Sequence, residues 1–419
     1  MSQSKMIEQS YSIAKERYES YGVDTDEVLK IMQSLPISIN SWQADDVIGF
    51  DNESAKHSGG NVVTGNYPGR ARNIDEVQQD MKKVCSLVPG TQRINVQASY
   101  GHFEGKISDR NELEPRHFQK WMQWAQETGV KLDFNTTFFS HPKSGNLSLA
   151  NPNSEIRDFW IEHTRRVRWI ADEMGKYQDN PCWVNVWVHD GSKDSPVNAL
   201  LYRRLLKEAL DEVYQTKYDN LVDCLEAKLF SIGAESYTVG SYDFYLGYCA
   251  KNNVAITLDT GHFHATESVA DKISAISLFV PAFMLHISRP VRWDSDHVVT
   301  MNDDTMSLAR EIIRCGVLDR TNVGLDFFDA SINRVGGYIV GTRSTQKCFM
   351  QAMLEPIRKL REYESGNQLF ERLALLEEAK GLPWNAVWDY FCLTNNVPVG
   401  DSFIKEVQQY EKDVTNKRD

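Results

Sequence analysis

The chain has no apolar run approaching the roughly 20 residues that span a bilayer. Its first ten residues, Met1 to Ser10, are polar and lack the apolar core of a signal peptide, so no secretory signal is expected. Cysteine is sparse: Cys85, Cys182, Cys224, Cys249, Cys315, Cys348 and Cys392 are odd in number and widely spaced, with no C-x-x-C. A disulfide framework or a zinc knuckle is therefore not expected, and a reducing, cytoplasmic compartment is. Excess positive charge is also missing. Lys and Arg number 46 against 58 Asp and Glu, a net charge of −12. Such a surface repels phosphate backbones and anionic lipid, so neither nucleic acid nor a membrane is an expected partner.

What is present is an ordinary globular composition, 41% hydrophobic and 25% charged over 419 residues. No letter-level repeat occurs, but a pattern repeats. Short apolar, β-branched runs alternate with longer amphipathic stretches, which predicts βαβ units around a parallel sheet. The predicted strands are Ile37–Trp42, Arg93–Ser99, Lys131–Thr137, Trp183–Val188, Val222–Phe230, Val254–Asp259, Phe283–Ser288 and Asn322–Phe327. Eight such units point to a closed (β/α)8 barrel, the TIM-barrel class of α/β fold. Between them, Pro115 is placed to open a helix that stops at Gly129. Asn153 or Ser154 is placed to cap another, with Ile156, Phe159, Trp160, His163 and Val167 at helical spacing. Residues 1–35 read as one or two helices, residues 50–75 as a long loop containing His57-Ser58-Gly59-Gly60, and residues 346–419 as a helical extension ending in a charged tail. No linker separates these parts, so one domain over 1–419 is expected, with the barrel at 36–345.

Chemistry in this architecture sits at the C-terminal ends of the strands. There the last four predicted strands carry Glu226, then Asp259 with His262, then His286, then Asp326, with Asp294-Ser295-Asp296 in the loop after the seventh. Successive members are roughly 25–40 residues apart, about one βα unit, so they converge on one rim. Any one of them alone is better read as a structural ion pair. Four strands repeating the arrangement at one end are read as a metal site, because converging carboxylates repel without a cation. Carboxylates with one or two imidazoles and no thiolate suit Mn²⁺, Mg²⁺ or Co²⁺. Seven ligand candidates exceed what one octahedral ion would use while holding substrate, which suggests two ions. Lys228, two residues past Glu226, would point into the same site and stabilise an oxyanion, or serve as an ion-pair partner of the carboxylates. Trp187 and Asp190 end the fourth strand near this rim. Trp187 would offer a ligand an apolar face, or be ordinary core.

Several stretches resemble the L-rhamnose isomerase family, a branch of the xylose-isomerase-like barrels. They are Gly233-Ala234-Glu235-Ser236-Tyr237-Thr238-Val239-Gly240, Asp259-Thr260-Gly261-His262-Phe263-His264, Ser288 through Val299, and Gly324-Leu325-Asp326-Phe327-Phe328-Asp329-Ala330-Ser331-Ile332-Asn333-Arg334. Weaker matches run from Trp42-Gln43 to Leu373-Ala374-Leu375-Leu376-Glu377. The resemblance implies a cytoplasmic, usually tetrameric enzyme of rhamnose catabolism that interconverts L-rhamnose and L-rhamnulose with two divalent ions. The usual ion is Mn²⁺, with Zn²⁺ among the alternatives. Glu226, Asp259, His286 and Asp326 would hold one ion. His262, Asp294 and Asp296, with Asp259 bridging, would hold the other. Lys228, Asp294 and Asp326 are the expected catalytic groups; Trp187, Asn40 and Gln97 are the expected sugar contacts. The chain departs from the family pattern at Asn40 and Gln97, where members typically carry His, and at His189, where they usually carry Pro. Gln97 has no titratable proton near neutral pH and cannot be a general base. Slower L-rhamnose turnover or a shifted sugar preference is therefore expected. An isomerase of another aldohexose or deoxy sugar, a metal-dependent sugar epimerase or hydrolase on the same barrel, and a catalytically weak sugar-binding relative are the alternatives. Hydride shift and enediol proton transfer both remain open.

Overall fold

The computed structural model describes residues 2–51, 63–229 and 236–418. The expected loop segment His57–Gly60, the expected strand end at Phe230 and the first three residues of the Gly233–Gly240 motif lie outside the described residues.

The apolar, β-branched runs pair with one another because each is buried on both faces and none can expose an edge. In chain order the strands are β1 (Ile37–Asn40), β2 (Gln92–Gln97), β3 (Lys131–Asn135), β4 (Cys182–Trp187), β5 (Gly191–Ser192), β6 (Leu221–Glu226), β7 (Tyr237–Thr238), β8 (Ala255–Asp259), β9 (Phe283–Ile287) and β10 (Thr321–Leu325). Eight of them form a closed parallel barrel in the order β1-β2-β3-β4-β6-β8-β9-β10, closed by β1 against β10 at Ile37–Val323 and Ser38–Gly324. The short strands β5 and β7 form a separate antiparallel pair above the rim.

The barrel strands run shorter at their C-terminal ends than the sequence suggests. β1 stops at Asn40, where Ser41–Gln43 turn into a 3₁₀ segment. β6 stops at Glu226 instead of continuing toward Phe230, because the Lys228 N–H leaves the barrel ladder and donates to Gly240 O. β2, β3, β4, β9 and β10 also end one or two residues earlier than the sequence suggests. Pro115 opens a 3₁₀ turn, Pro115–Phe118, and the α-helix proper is Gln119–Thr128, ended by Gly129 in the left-handed region. Asn153 caps the helix Ser154–Gln178, its side chain accepting the Glu155 N–H. That helix packs its Phe159, Trp160 and Val167 face on β3 and β4.

The N-terminal segment forms two helices, Gln3–Glu19 and Thr25–Ser34. The first packs on the helix Trp384–Thr394, with the Tyr11 and Tyr390 rings stacked 4.0 Å apart. Helix Arg334–Met353 runs through residue 345, the expected end of the barrel. The charged C-terminal tail is anchored at Arg418, which is buried 2.7 Å from both Asp80 oxygens. Among the described residues no helix is long and apolar enough to cross a membrane. All seven cysteines are free thiols.

Candidate metal centre

Glu226 ends β6, Asp259 ends β8, His286 lies in β9 and Asp326 follows β10. Barrel register brings them level: Asp259 stands opposite His286, and His286 opposite Gly324. Ligand atoms of Glu226, Asp259, His286 and Asp326 all lie within 4.8 Å of one another. A second set, Asp259, His262 and Asp294, meets the same limit and shares Asp259.

Local backbone makes the second set possible. After β8 the chain turns tightly, with the Gly261 N–H donating to Asp259 Oδ1 at 2.6 Å. A Cβ on Gly261 would stand 2.1 Å from Asp294 Oδ1, so the turn and the aspartate coexist only because the residue is glycine. The loop after β9 closes on a bridge between Arg289 and His297. Asp296 sits there with φ 47°, and its carbonyl accepts the Phe328 N–H. Asp294 and Asp296 are thereby drawn in beside the strand ends, and both are buried.

The residues fit a pair of cations. His262 Nδ1 lies 3.0 Å from Ala227 O, which directs Nε2 toward Asp294 Oδ2 at 3.2 Å and Asp259 Oδ2 at 3.9 Å. A backbone partner on one ring nitrogen is how a ligating histidine is usually oriented. Asp259 Oδ2, Asp294 Oδ1 and both ring nitrogens of His286 are buried with no hydrogen-bond partner among the described residues. His286 Nδ1 is 3.2 Å from Glu226 Oε2 and 3.4 Å from Asp326 Oδ2, yet neither contact has hydrogen-bond alignment. Buried polar atoms left unpaired cost a few kcal/mol each unless something else binds them. A divalent ion is a partner that oxygen and imidazole donors share.

Charge balance says the same. Burial, then the neighbouring carboxylates Asp294 and Asp326, push the Asp259 and Asp296 carboxyls well above their usual range. Burial would also raise Glu226, but the His286 and His262 imidazoles outweigh it and hold that group low. Asp294 is held low in the same way by Lys228 and His262. Burial opposes charge on both imidazoles, but the carboxylates raise them well above the ordinary histidine value. Closely packed acids thus oppose one another's charge, and binding of a metal displaces protons from its ligands.

Around the acids lies a pocket lined by Trp42, Val47, Gln97, Asn135, Phe139, Trp187, Lys228 and Phe328. Of the residues expected to meet sugar, Trp187 and Gln97 are in this lining. Gln97 Oε1 accepts the Thr137 hydroxyl at 3.3 Å. Asn40 is fully buried and not among the lining residues; its Nδ2 donates to Phe327 O at 2.7 Å. His189 also lies outside it, with Nε2 3.1 Å from Gly145 O. The Asp190 carboxylate accepts the backbone N–H groups of Ser148 and Ala150, a loop tie rather than a rim ligand. Lys228 Nζ reaches Asp294 Oδ2 at 3.0 Å.

Sequence reasoning missed three neighbours of the acids. The Trp42 indole N–H donates to Asp326 Oδ1 at 2.9 Å. Asn185 Nδ2 donates to Glu226 Oε2, and Thr257 donates to Asn185 Oδ1 at 2.7 Å. Asn185 carried a signal: it is a polar residue two positions before Trp187 in an apolar run, hence on the same face of the strand.

A family profile described as L-rhamnose isomerase (RhaA) matches residues 5–418. An L-rhamnose isomerase of Bacteroides thetaiotaomicron is 60% identical over 418 residues, covering 100% of both chains. One of Mannheimia succiniciproducens is 49% identical over 98% of this chain and 99% of its own. Among solved structures, a 3-keto-D-glucoside 4-epimerase from E. coli covers 75% of this chain and 100% of its own, with 12% identity and a TM-score of 0.48. The profile match and the full-length identities together settle the family: the chain belongs to the L-rhamnose isomerases.

Proposed function

We propose that this protein interconverts L-rhamnose and L-rhamnulose with two divalent ions, Mn²⁺ by preference, as a cytoplasmic homotetramer serving rhamnose catabolism. The observation that carries the reading is the pair of ligand sets sharing Asp259 at one side of a half-apolar pocket. Glu226, Asp259, His286 and Asp326 would hold one ion; His262, Asp294 and Asp296, with Asp259 bridging, the other. When bound, the ions supply Lewis-acid stabilisation of charge developing on the sugar oxygens.

The chain's own groups do the rest. Aldose–ketose isomerisation moves hydrogen between C1 and C2 while negative charge builds on O1 or O2. Lys228 sets a fixed ammonium at the pocket wall, where a low-dielectric site makes such a charge effective. Trp187, Phe139 and Phe328 give the sugar apolar faces and exclude water. Gln97 has its carbonyl end occupied by Thr137, so it offers the sugar an amide N–H rather than a base. Trp42 holds one oxygen of Asp326 and leaves the other facing His286. Asp294 is positioned between Lys228 and His262.

The test is ketose formation from L-rhamnose by purified, Mn²⁺-loaded protein, beside a metal-stripped control and a panel of other aldoses. Metal-dependent L-rhamnulose is the expected product. Turnover of a different aldose alone would move the substrate assignment and place the change at Gln97. A new aldose of the same length would mean epimerisation, and no product on any sugar would overturn the isomerase reading.

A further inference from the structure

Glu226 is approached from below by a group that belongs to no ligand set. Asn185 lies on β4, Glu226 on β6 and Thr257 on β8, three successive barrel strands, and Thr257 stands in register opposite Glu226. Asn185 and Thr257 are each 1% exposed. The Asn185 amide donates through Nδ2 to Glu226 Oε2, while its Oδ1 accepts the Thr257 hydroxyl at 2.7 Å. The Asn185 backbone carbonyl is itself held by the Thr136 N–H at 3.1 Å.

These contacts fix a direction. An ionised carboxylate only accepts, so it selects the NH₂ end of the amide. A hydroxyl donating to Oδ1 holds the amide that way round. Flipping it would set two oxygens face to face in a buried site, where unpaired polar groups are costly. The other Glu226 oxygen, Oε1, lies 3.0 Å from His262 Nδ1. Oε2 is therefore oriented by Asn185 from the protein side before any ligand arrives.

We infer that Thr257 and Asn185 form a positioning relay that fixes the Glu226 carboxylate for metal binding, with Thr257 acting wholly through Asn185. The inference rests on the two-ion reading above. Thr257 is not among the residues that line the pocket, so it reaches neither sugar nor ion, and its influence must pass along the chain Thr257–Asn185–Glu226. Partners that orient metal ligands in this way typically govern metal affinity by about 10–100-fold.

The experiment is a calorimetric Mn²⁺ titration of metal-stripped full-length protein without sugar, on the parent, Thr257→Val and Thr257→Ser. Thr257→Val keeps the shape and removes the hydroxyl; Thr257→Ser keeps the hydroxyl. Thr257→Val is expected to bind one of two Mn²⁺ equivalents about tenfold more weakly, with Thr257→Ser close to the parent. In turnover assays the deficit should be recovered by excess Mn²⁺, leaving the sugar KM unchanged. Equal Mn²⁺ affinity in parent and Thr257→Val overturns the relay while leaving the metal reading standing. A parent that takes up no Mn²⁺ overturns the metal reading itself. If Thr257→Val fails to fold, Asn185→Ala read the same way decides: weakened binding of one equivalent supports the relay, parental binding overturns it.

Discussion

Lys228 Nζ stands 3.0 Å from Asp294 Oδ2 and 4.9 Å above the Trp187 ring. The lysine lies just past β6, and its ammonium is wedged between an acid of the loop after β9 and an aromatic of the pocket wall. Burial opposes its charge, but Asp294 and Asp296 outweigh that and raise its pKa above the ordinary lysine value. The cationic form is therefore favoured at neutral pH. Lys228→Met keeps the bulk and removes the charge. It is expected to lower kcat by about 100-fold or more, the usual effect of losing one preorganised oxyanion partner, with a smaller change in KM. Steady-state kinetics on the metal-loaded variant checks this, and an unchanged kcat would remove Lys228 from the chemistry.

Metal removal should be visible in stability before any assay of turnover. An ion that binds only the folded chain stabilises it by mass action, by about 2.7 kcal/mol at a hundred times its Kd. Stripped protein is expected to melt at lower temperature, and its Tm should climb with added Mn²⁺ until two equivalents are bound. A Tm indifferent to chelator and to Mn²⁺ would contradict the charge balance described for Asp259, Asp294 and Asp296.

Gln97 gives a third expectation. Its carbonyl is taken by Thr137, and an amide neither gains nor loses a proton near neutral pH. Gln97→His would place a titratable group at the pocket wall, and general-base assistance is worth about 10²–10⁴-fold where it is rate-limiting. The variant is expected to gain kcat on L-rhamnose or on another aldose, with a new limb in its pH profile near the histidine range. A variant with no gain on any sugar would show that this position does not limit turnover.

The barrel and its acidic rim were legible in the sequence because both rest on period. Eight apolar runs gave eight strands, and acids recurring once per βα unit met at one end, as Glu226, Asp259, His286 and Asp326 do. Strand ends were less legible. Nothing in the letters around Glu226 says that the Lys228 backbone N–H will leave the barrel for Gly240 O. Side-chain alternation gives a face but not a partner: the Asn40 Nδ2 donates to the Phe327 carbonyl, and Asn40 is not among the pocket-lining residues. Trp42 and Thr257 were invisible as partners because a hydrogen bond between strands distant in sequence leaves no local pattern.

His163 carries the pH prediction. It is fully buried on the helix Ser154–Gln178, with Nε2 accepting the Thr137 N–H at 3.2 Å and Nδ1 3.1 Å from Arg110 O. That geometry requires the neutral ring, and burial lowers its pKa from 6.5 to about 3. A histidine depressed in the folded state takes up its proton only on unfolding. Its contribution to stability is therefore complete above pH ~6.5 and is lost as pH falls from there toward about 3. Denaturant titrations between pH 4 and pH 7 should show stability rising with pH. A His163→Gln variant, though less stable at pH 7, should show a shallower slope over the same interval. Identical slopes would mean that other groups set the acid sensitivity.

Asp133 closes the opposite end of the barrel and supports the last prediction. It is fully buried on β3 and accepts from Ser38 Oγ at 2.6 Å, Arg93 Nη2 at 2.7 Å, Arg93 Nε at 2.9 Å, Asn322 Nδ2 at 2.9 Å and the Trp183 N–H at 3.0 Å. One carboxylate thus ties β1, β2, β3, β4 and β10 together beneath the site. Arg93 also donates to Leu132 O, Pro181 O and Asn180 Oδ1, and among the described residues no second carboxylate pairs with its guanidinium. Asp133→Asn keeps the shape and removes the charge, leaving a buried cation without its counterion. Breaking such a pair from one side costs about 3–5 kcal/mol, whereas replacing both partners with apolar groups is often neutral. Asp133→Asn is therefore expected to lower the denaturation midpoint strongly. An Arg93→Met, Asp133→Leu double variant should recover part of that loss, a coupling that only neighbouring groups produce. Metal affinity of the folded single variant should stay near the parent's, because the rim ligands sit on the far ends of the strands. A single variant within ~1 kcal/mol of the parent would show that the polar cross-tie, and not the charge pair, holds the barrel floor.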